Sequence, residues 1–146
     1  MTIFSIAFTL CSTLVTPFWL LMIFAPKHMF TQRIMKSLWV VVPFMLVYAI
    51  LELPDITTSL PLFVKPNLEA ITNLFKTSNH VALAWVHFVA ADLFVGRWVF
   101  LDSLERELNV WIMAPILFFT AMLCPLGFSL YMIYRTIKGG SHARTE

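Results

Sequence analysis

Twenty-three consecutive residues, Ile3 to Ala25, pass without a single Asp, Glu, Lys, Arg or His. The hydrocarbon core of a bilayer is about 30 Å thick and a helix rises about 1.5 Å per residue, so about 20 mostly apolar residues cross it. Backbone N–H and C=O groups find no water there, and a helix is the form in which one segment satisfies them by itself. The first element is therefore expected to be a membrane helix. It lacks the basic start and short core of a secretory signal, and it is expected to be retained. No Ser- and Arg-rich transit segment precedes it, so the chain is expected to enter its membrane without a plastid-type presequence. A bacterial or photosynthetic membrane is the expected location, a prokaryotic one being the simplest source.

Three further runs meet the same criterion, at about 37–53, 80–101 and 109–134, with Pro26, Pro54, Asn79 and Asp102 punctuating their ends. The 146 residues are 60% hydrophobic and 12% charged, with a mean hydropathy of +0.83, a composition of the membrane class. The expected architecture is an all-α integral membrane protein. One transmembrane domain covers residues 1–146 as a four-helix bundle, kinked where Pro43, Pro115 and Pro125 fall inside helices. The long connection between the second and third helices carries Leu68, Ile71, Leu74 and Phe75 at helical spacing, which predicts a short interfacial helix over about 67–76, capped by Asn67. Such a helix serves equally as a lid or as a plain surface connection. Counted over all loops, Lys and Arg divide five and five between the two sides. Lys27, Arg33 and Lys36 follow the first helix closely while nothing basic precedes it, which puts the first loop in the cytoplasm and both termini outside.

Ten basic and eight acidic residues leave a net charge of +2 with no basic cluster beyond Lys27 to Lys36, so nucleic acid is not an expected partner. Cys11 and Cys124 lie inside apolar runs, where they pack as small hydrophobes, and no disulfide is assigned. No Glu-x-x-His pair occurs, and His80 and His87 stand two turns apart, so no metal site is expected. With four glycines and no phosphate loop or nucleophile motif, no cofactor is expected either.

Two groups of polar residues lie within the apolar runs. Ser5, Thr9, Ser12 and Thr16 fall on one helical face, and small hydroxyl residues let helices approach closely, which predicts that this face is buried against another helix. In the third run His87, Asp92 and Arg97 stand five residues apart, and about 100° per residue turns each some 140° from the last. They do not form one cluster. His80, His87, Ala91 and Trp98 share one stripe, and Trp85, Asp92 and Gly96 share another. Asp92 lies about 18 Å along the helix from His80, near mid-membrane, where an ionisable side chain marks a functional site by default. The structural alternative is a neutral carboxyl fixing helix packing. His87 reads equally as a packing histidine or a ligand contact, and Arg97, near a helix end, is placed to snorkel toward headgroups.

The blocks "FSIAFTLCSTLVTPFWLLMIFAP", "LEAITNLF", "ALAWVHFVAADLFVGRWVFLDSLE" and "LCPLGF" resemble the abscisic-acid-deficiency-four-like family of membrane proteins, whose plant members are the neoxanthin synthases of carotenoid metabolism. In the third block Trp85, His87, Asp92, Leu93, Phe94, Arg97 and Asp102 follow the family pattern in register. The resemblance implies a carotenoid as ligand within the lipid phase. In its catalytic form it implies a cofactor-free isomerisation, in which a xanthophyll 5,6-epoxide oxygen gains a proton while the C7 hydrogen leaves. Asp92 then serves as acid and His87 as base, Arg97 or Asp102 orients them, and Trp85, Trp98 and Asp102 contact the substrate. The second implied reading is a non-catalytic carotenoid-binding or structural subunit, as a homo-oligomer or within a photosynthetic membrane complex.

Overall fold

The computed structural model describes residues 2–142. All regular structure in them is helical: α1 (Ile3–Phe24), α2 (Met29–Lys36), α3 (Val42–Glu52), α4 (Ile56–Val64), α5 (Leu68–Leu74), α6 (Ser78–Glu105), α7 (Val110–Met122) and α8 (Cys124–His142). Short 3-10 turns over Leu38–Val40 and Leu53–Asp55 precede α3 and α4. Among the described residues, three stretches are long and apolar enough to cross a membrane: Ile3–Phe24, Val42–Val64 and Ser78–Glu105.

Two departures from the sequence reading follow from local chemistry. The second stretch does not end at Pro54, because Pro54 opens the 3-10 turn at a first-turn position where its missing N–H is not needed, and the helical path runs on to Val64. The fourth run, expected as one kinked span over 109–134, breaks at Leu123 into two helices. α7 has 13 residues, or about 20 Å of rise, which is short of the hydrocarbon core. Asn67 caps α5 as expected, its Oδ1 accepting the Glu69 and Ala70 amides at 2.9 and 3.2 Å.

The chain packs as two compact units, Met1–Val15 with Val41–Ala90, and Thr16–Val40 with Ala91–Glu146. In the first unit, α1 buries Ala7, Cys11 and Val15, a stripe spaced by four. Thr9 and Thr16 of the hydroxyl stripe are exposed, while Ser5 and Ser12 are half-buried. The expectation of a buried hydroxyl face is thus corrected. Ser5, Thr9 and Ser12 donate to the carbonyls of Thr2, Ser5 and Phe8 at 2.8, 3.0 and 2.6 Å, so these hydroxyl donors are satisfied locally, and Ser12 also accepts from another helix, at Trp85 Nε1 of α6. Ala82, Leu83, Val86, Val89 and Ala90 of α6 are buried, as are Val41, Phe44 and Leu51.

In the second unit α1 continues with buried Trp19 and Met22. Gly96 of α6 is the close approach here, since a Cβ at that position would run into the Trp19 ring. α6 ends on Glu107 at φ 52°, with the Leu108 amide on the Ser103 carbonyl (3.0 Å) and the Glu107 amide on Leu104 (3.1 Å), a closing pattern that ordinarily uses glycine. Beyond it α7 and α8 pack against each other, and residues at the start of α7 and the far part of α8 line one cavity. They fold back as a helical hairpin. At its turn a Cβ on Gly127 would strike the Thr120 backbone and hydroxyl. Gly127→Ala should therefore destabilise the protein by about 1–3 kcal/mol through overpacking, read as a lower melting temperature in detergent. A parent-like melt would remove the close contact from the account.

Candidate functional site

α3, α4 and α6 of the first unit line an open cavity of about 250 Å³, with His87 among its exposed residues. Tyr48 and Glu52 stand one turn apart on α3, and Ser59 and Phe63 one turn apart on α4, so the continued helical path brings all four to the lining. His80 and His87 come to it from α6 at a spacing of two turns, with Leu83, Ala84 and Phe88 between and beside them. Leu74 and Phe75, at the end of α5, complete the wall. α5, expected as a lid or a plain surface connection, thus contributes its end to the wall of the cavity.

The cavity joins one carboxyl, two imidazoles, a phenol and a hydroxyl to an otherwise apolar wall. The His87 ring meets Tyr48 edge-on at 5.0 Å between centroids and Phe88 at 6.0 Å. His80 Nδ1 pairs with the Thr77 hydroxyl, which leaves Nε2 as its remaining polar atom. Glu52 and His80 are half-buried. Glu52 and both histidines belong to stretches long and apolar enough to cross a membrane, where ionisable side chains are rare and mark functional positions. Among the described residues no group of three or more His, Cys, Asp or Glu is placed to hold a metal ion.

Of the residues expected from the sequence, His87 alone lines this cavity. Trp85 belongs to the same unit, and its Nε1 donates to Ser12 Oγ at 2.8 Å while its ring lies 5.5 Å from Phe8. Asp92, Arg97, Trp98 and Asp102 belong to the second unit. Asp92 takes a side-chain hydrogen bond from the Cys124 thiol. Arg97 Nη2 donates to the Lys36 carbonyl at 2.9 Å, a cation on the C-terminus of α2, where the helix dipole favours it. Trp98 packs edge-on against Tyr131 at 5.8 Å, with the Arg135 guanidinium 5.5 Å above its ring. Asp102 is a hub: its Oδ2 accepts from Arg106 Nε at 2.8 Å and from the Tyr131 hydroxyl, and forms an ion pair with Arg135, whose Nε lies at 3.2 Å. The hydrogen bond to Asp102 holds the Arg106 guanidinium above its ordinary pKa.

Sequence reasoning missed Glu52 as a site residue. Its signal was an acid between Leu51 and Leu53 in an apolar run, read as punctuation because Pro54 follows it.

These features define a helical protein with three stretches able to cross a membrane and an acid and two imidazoles on one apolar cavity. A model of the ABA DEFICIENT 4-like family matches residues 6–131, and the chain belongs to that family. Protein ABA DEFICIENT 4, chloroplastic, from Arabidopsis thaliana is 28% identical over 139 residues, an alignment that covers 91% of this chain and 62% of the relative. The chain thus spans about three fifths of that relative's length. No solved structure matches the chain.

Proposed function

We propose that the protein is an integral membrane protein of carotenoid metabolism, which takes one end ring of a xanthophyll into the first unit's cavity and isomerises it there. The observation that carries this reading is the placement of Glu52, His80 and His87 on one largely apolar cavity within potential membrane spans. Family membership supports the carotenoid class, and the chloroplastic relative supports a photosynthetic membrane as the location. Size sets the binding mode. A cavity of about 150 Å³ accepts one benzene, so about 250 Å³ suits one substituted six-membered ring and excludes a polyene. The polyene then lies outside, along exposed aromatic faces such as Phe8, Trp85 and Phe88.

Opening an epoxide to an allenic alcohol breaks one C–O and one C–H bond and forms one O–H bond and one C=C π bond, with no net change in electrons or protons. It needs an acid at oxygen and a base at carbon in a site that excludes water. In this proposal the Glu52 carboxyl protonates the oxygen, the His87 imidazole takes the carbon-bound proton, and transfer of that proton back to Glu52 restores the pair. A second reading, pigment binding without turnover, is favoured by the ring contacts of His87 with Tyr48 and Phe88, since such an aromatic wall holds a ring whether or not a proton moves.

Purification with native lipids, pigment analysis and incubation with a 5,6-epoxycarotenoid separate the readings. An allenic product of unchanged mass supports the isomerase. Stoichiometric carotenoid with no product leaves the binding role, and neither pigment nor product sinks both.

A further inference from the structure

The second unit holds a larger cavity, of about 1000 Å³, that the carotenoid reading does not use. Four basic side chains reach it from separate places: Lys27 just beyond α1, Arg106 just beyond α6, and Arg135 and Lys138 one turn apart on α8. Glu105 and Glu107 are the acidic side chains on its lining. Asp102 adds one more negative charge through its pairs with both arginines, and the balance stays positive. Asp102 engages each arginine through Nε, Arg135 Nη1 makes only a long 4.0 Å contact to Met132 Sδ, and guanidinium N–H groups of this kind suit the oxygens of a phosphate.

The rest of the lining argues against a purely water-soluble anion. Leu104, Leu108 and Trp111 share the cavity with the cations, and Trp111 is 84% exposed. An apolar wall beside a cationic one fits an amphiphile whose charged end is a phosphate. Position agrees, since the cavity sits where the apolar stretch Ser78–Glu105 ends, the level at which headgroups meet a spanning helix. The start of α7 also opens here and adds the partial positive charge of a helix N-terminus.

We propose that this cavity binds the phosphate of an anionic phospholipid headgroup, with Lys27, Lys138 and the Nη groups of Arg106 and Arg135 as its cationic side and Leu104, Leu108 and Trp111 against the start of the lipid chains. The test counts lipids retained by the full chain in native mass spectrometry, using phosphatidylglycerol, phosphatidylcholine and inorganic phosphate as probes. Phosphatidylglycerol should be retained in preference to phosphatidylcholine, and Lys27→Gln with Lys138→Gln should weaken it about 25-fold, about fivefold per lysine. Both lysines are exposed, so the double variant should melt like the parent. Glu105→Gln with Glu107→Gln should act in the opposite sense and raise retention. Displacement by millimolar inorganic phosphate would keep the phosphate site and assign it to a free anion. Equal retention of the two lipids, or retention unchanged in both double variants, overturns the site.

Discussion

Glu52→Gln should fold, keep its pigment and lose epoxide conversion by about 10² to 10⁴-fold, the range that a positioned acid or base contributes. Gln preserves the shape and hydrogen-bonding capacity of the side chain and removes only its proton exchange. His87→Gln should fall in the same range if the two act as a couple, and the double variant should be little worse than either single one, because a broken relay cannot be broken again. Asp92→Asn is the comparison. Asp92 lines neither cavity and pairs with Cys124, so that variant should turn over near the parent rate. Parent-like conversion by Glu52→Gln together with loss in Asp92→Asn would return the chemistry to Asp92 and remove it from the first unit.

Asp102→Ala should lower stability by about 2–3 kcal/mol in a detergent unfolding titration. The substitution leaves the Tyr131 hydroxyl without its acceptor, and Tyr131 is fully buried, a loss of about 1–3 kcal/mol by itself. It also leaves two guanidinium groups facing one another without the shared carboxylate. Their side chains are 39% and 27% exposed, so water screens much of that repulsion and the full penalty of a buried broken pair does not apply. Tyr131→Phe removes the hydroxyl and keeps both ion pairs, and it should lose about 1 kcal/mol. An Asp102→Ala protein that unfolds with the parent would show that the hub holds nothing.

The helical class was legible in the sequence because apolar runs without charge have one solution in lipid. What the sequence could not show were the places where a continuous hydropathy profile hides a change of direction. Residues 109–134 read as one run, yet Gly127, which lets Thr120 come into contact, turns the chain back. Pro54 misled in the other direction, since a proline in a first turn ends nothing. The site was legible in part for the same reason. The stripe through His80 and His87 follows from helical spacing alone, and both line one cavity. Their carboxyl partner comes from another helix, beyond the reach of spacing along α6. The even steps of His87, Asp92 and Arg97 set them on diverging faces, and the structure gives them separate neighbours in Tyr48, Cys124 and the Lys36 carbonyl.

The turn back at Leu123 also bears on how such a chain is inserted. Should α7 and α8 return to the side they left, the three stretches long and apolar enough to cross a membrane would be the only crossings among the described residues. That odd number would set the two ends of those residues in different compartments. Lys27, Arg33, Lys36, Arg106, Arg135 and Lys138 would then share one side against Lys65 and Lys76 on the other, six to two, where four crossings divide the same eight four and four. Translocating Lys and Arg is what an inserting membrane resists. A hairpin that does not cross would thus turn an ambiguous charge distribution into a directional one, with the amino end passed through the bilayer and the basic α8 end kept where it was made.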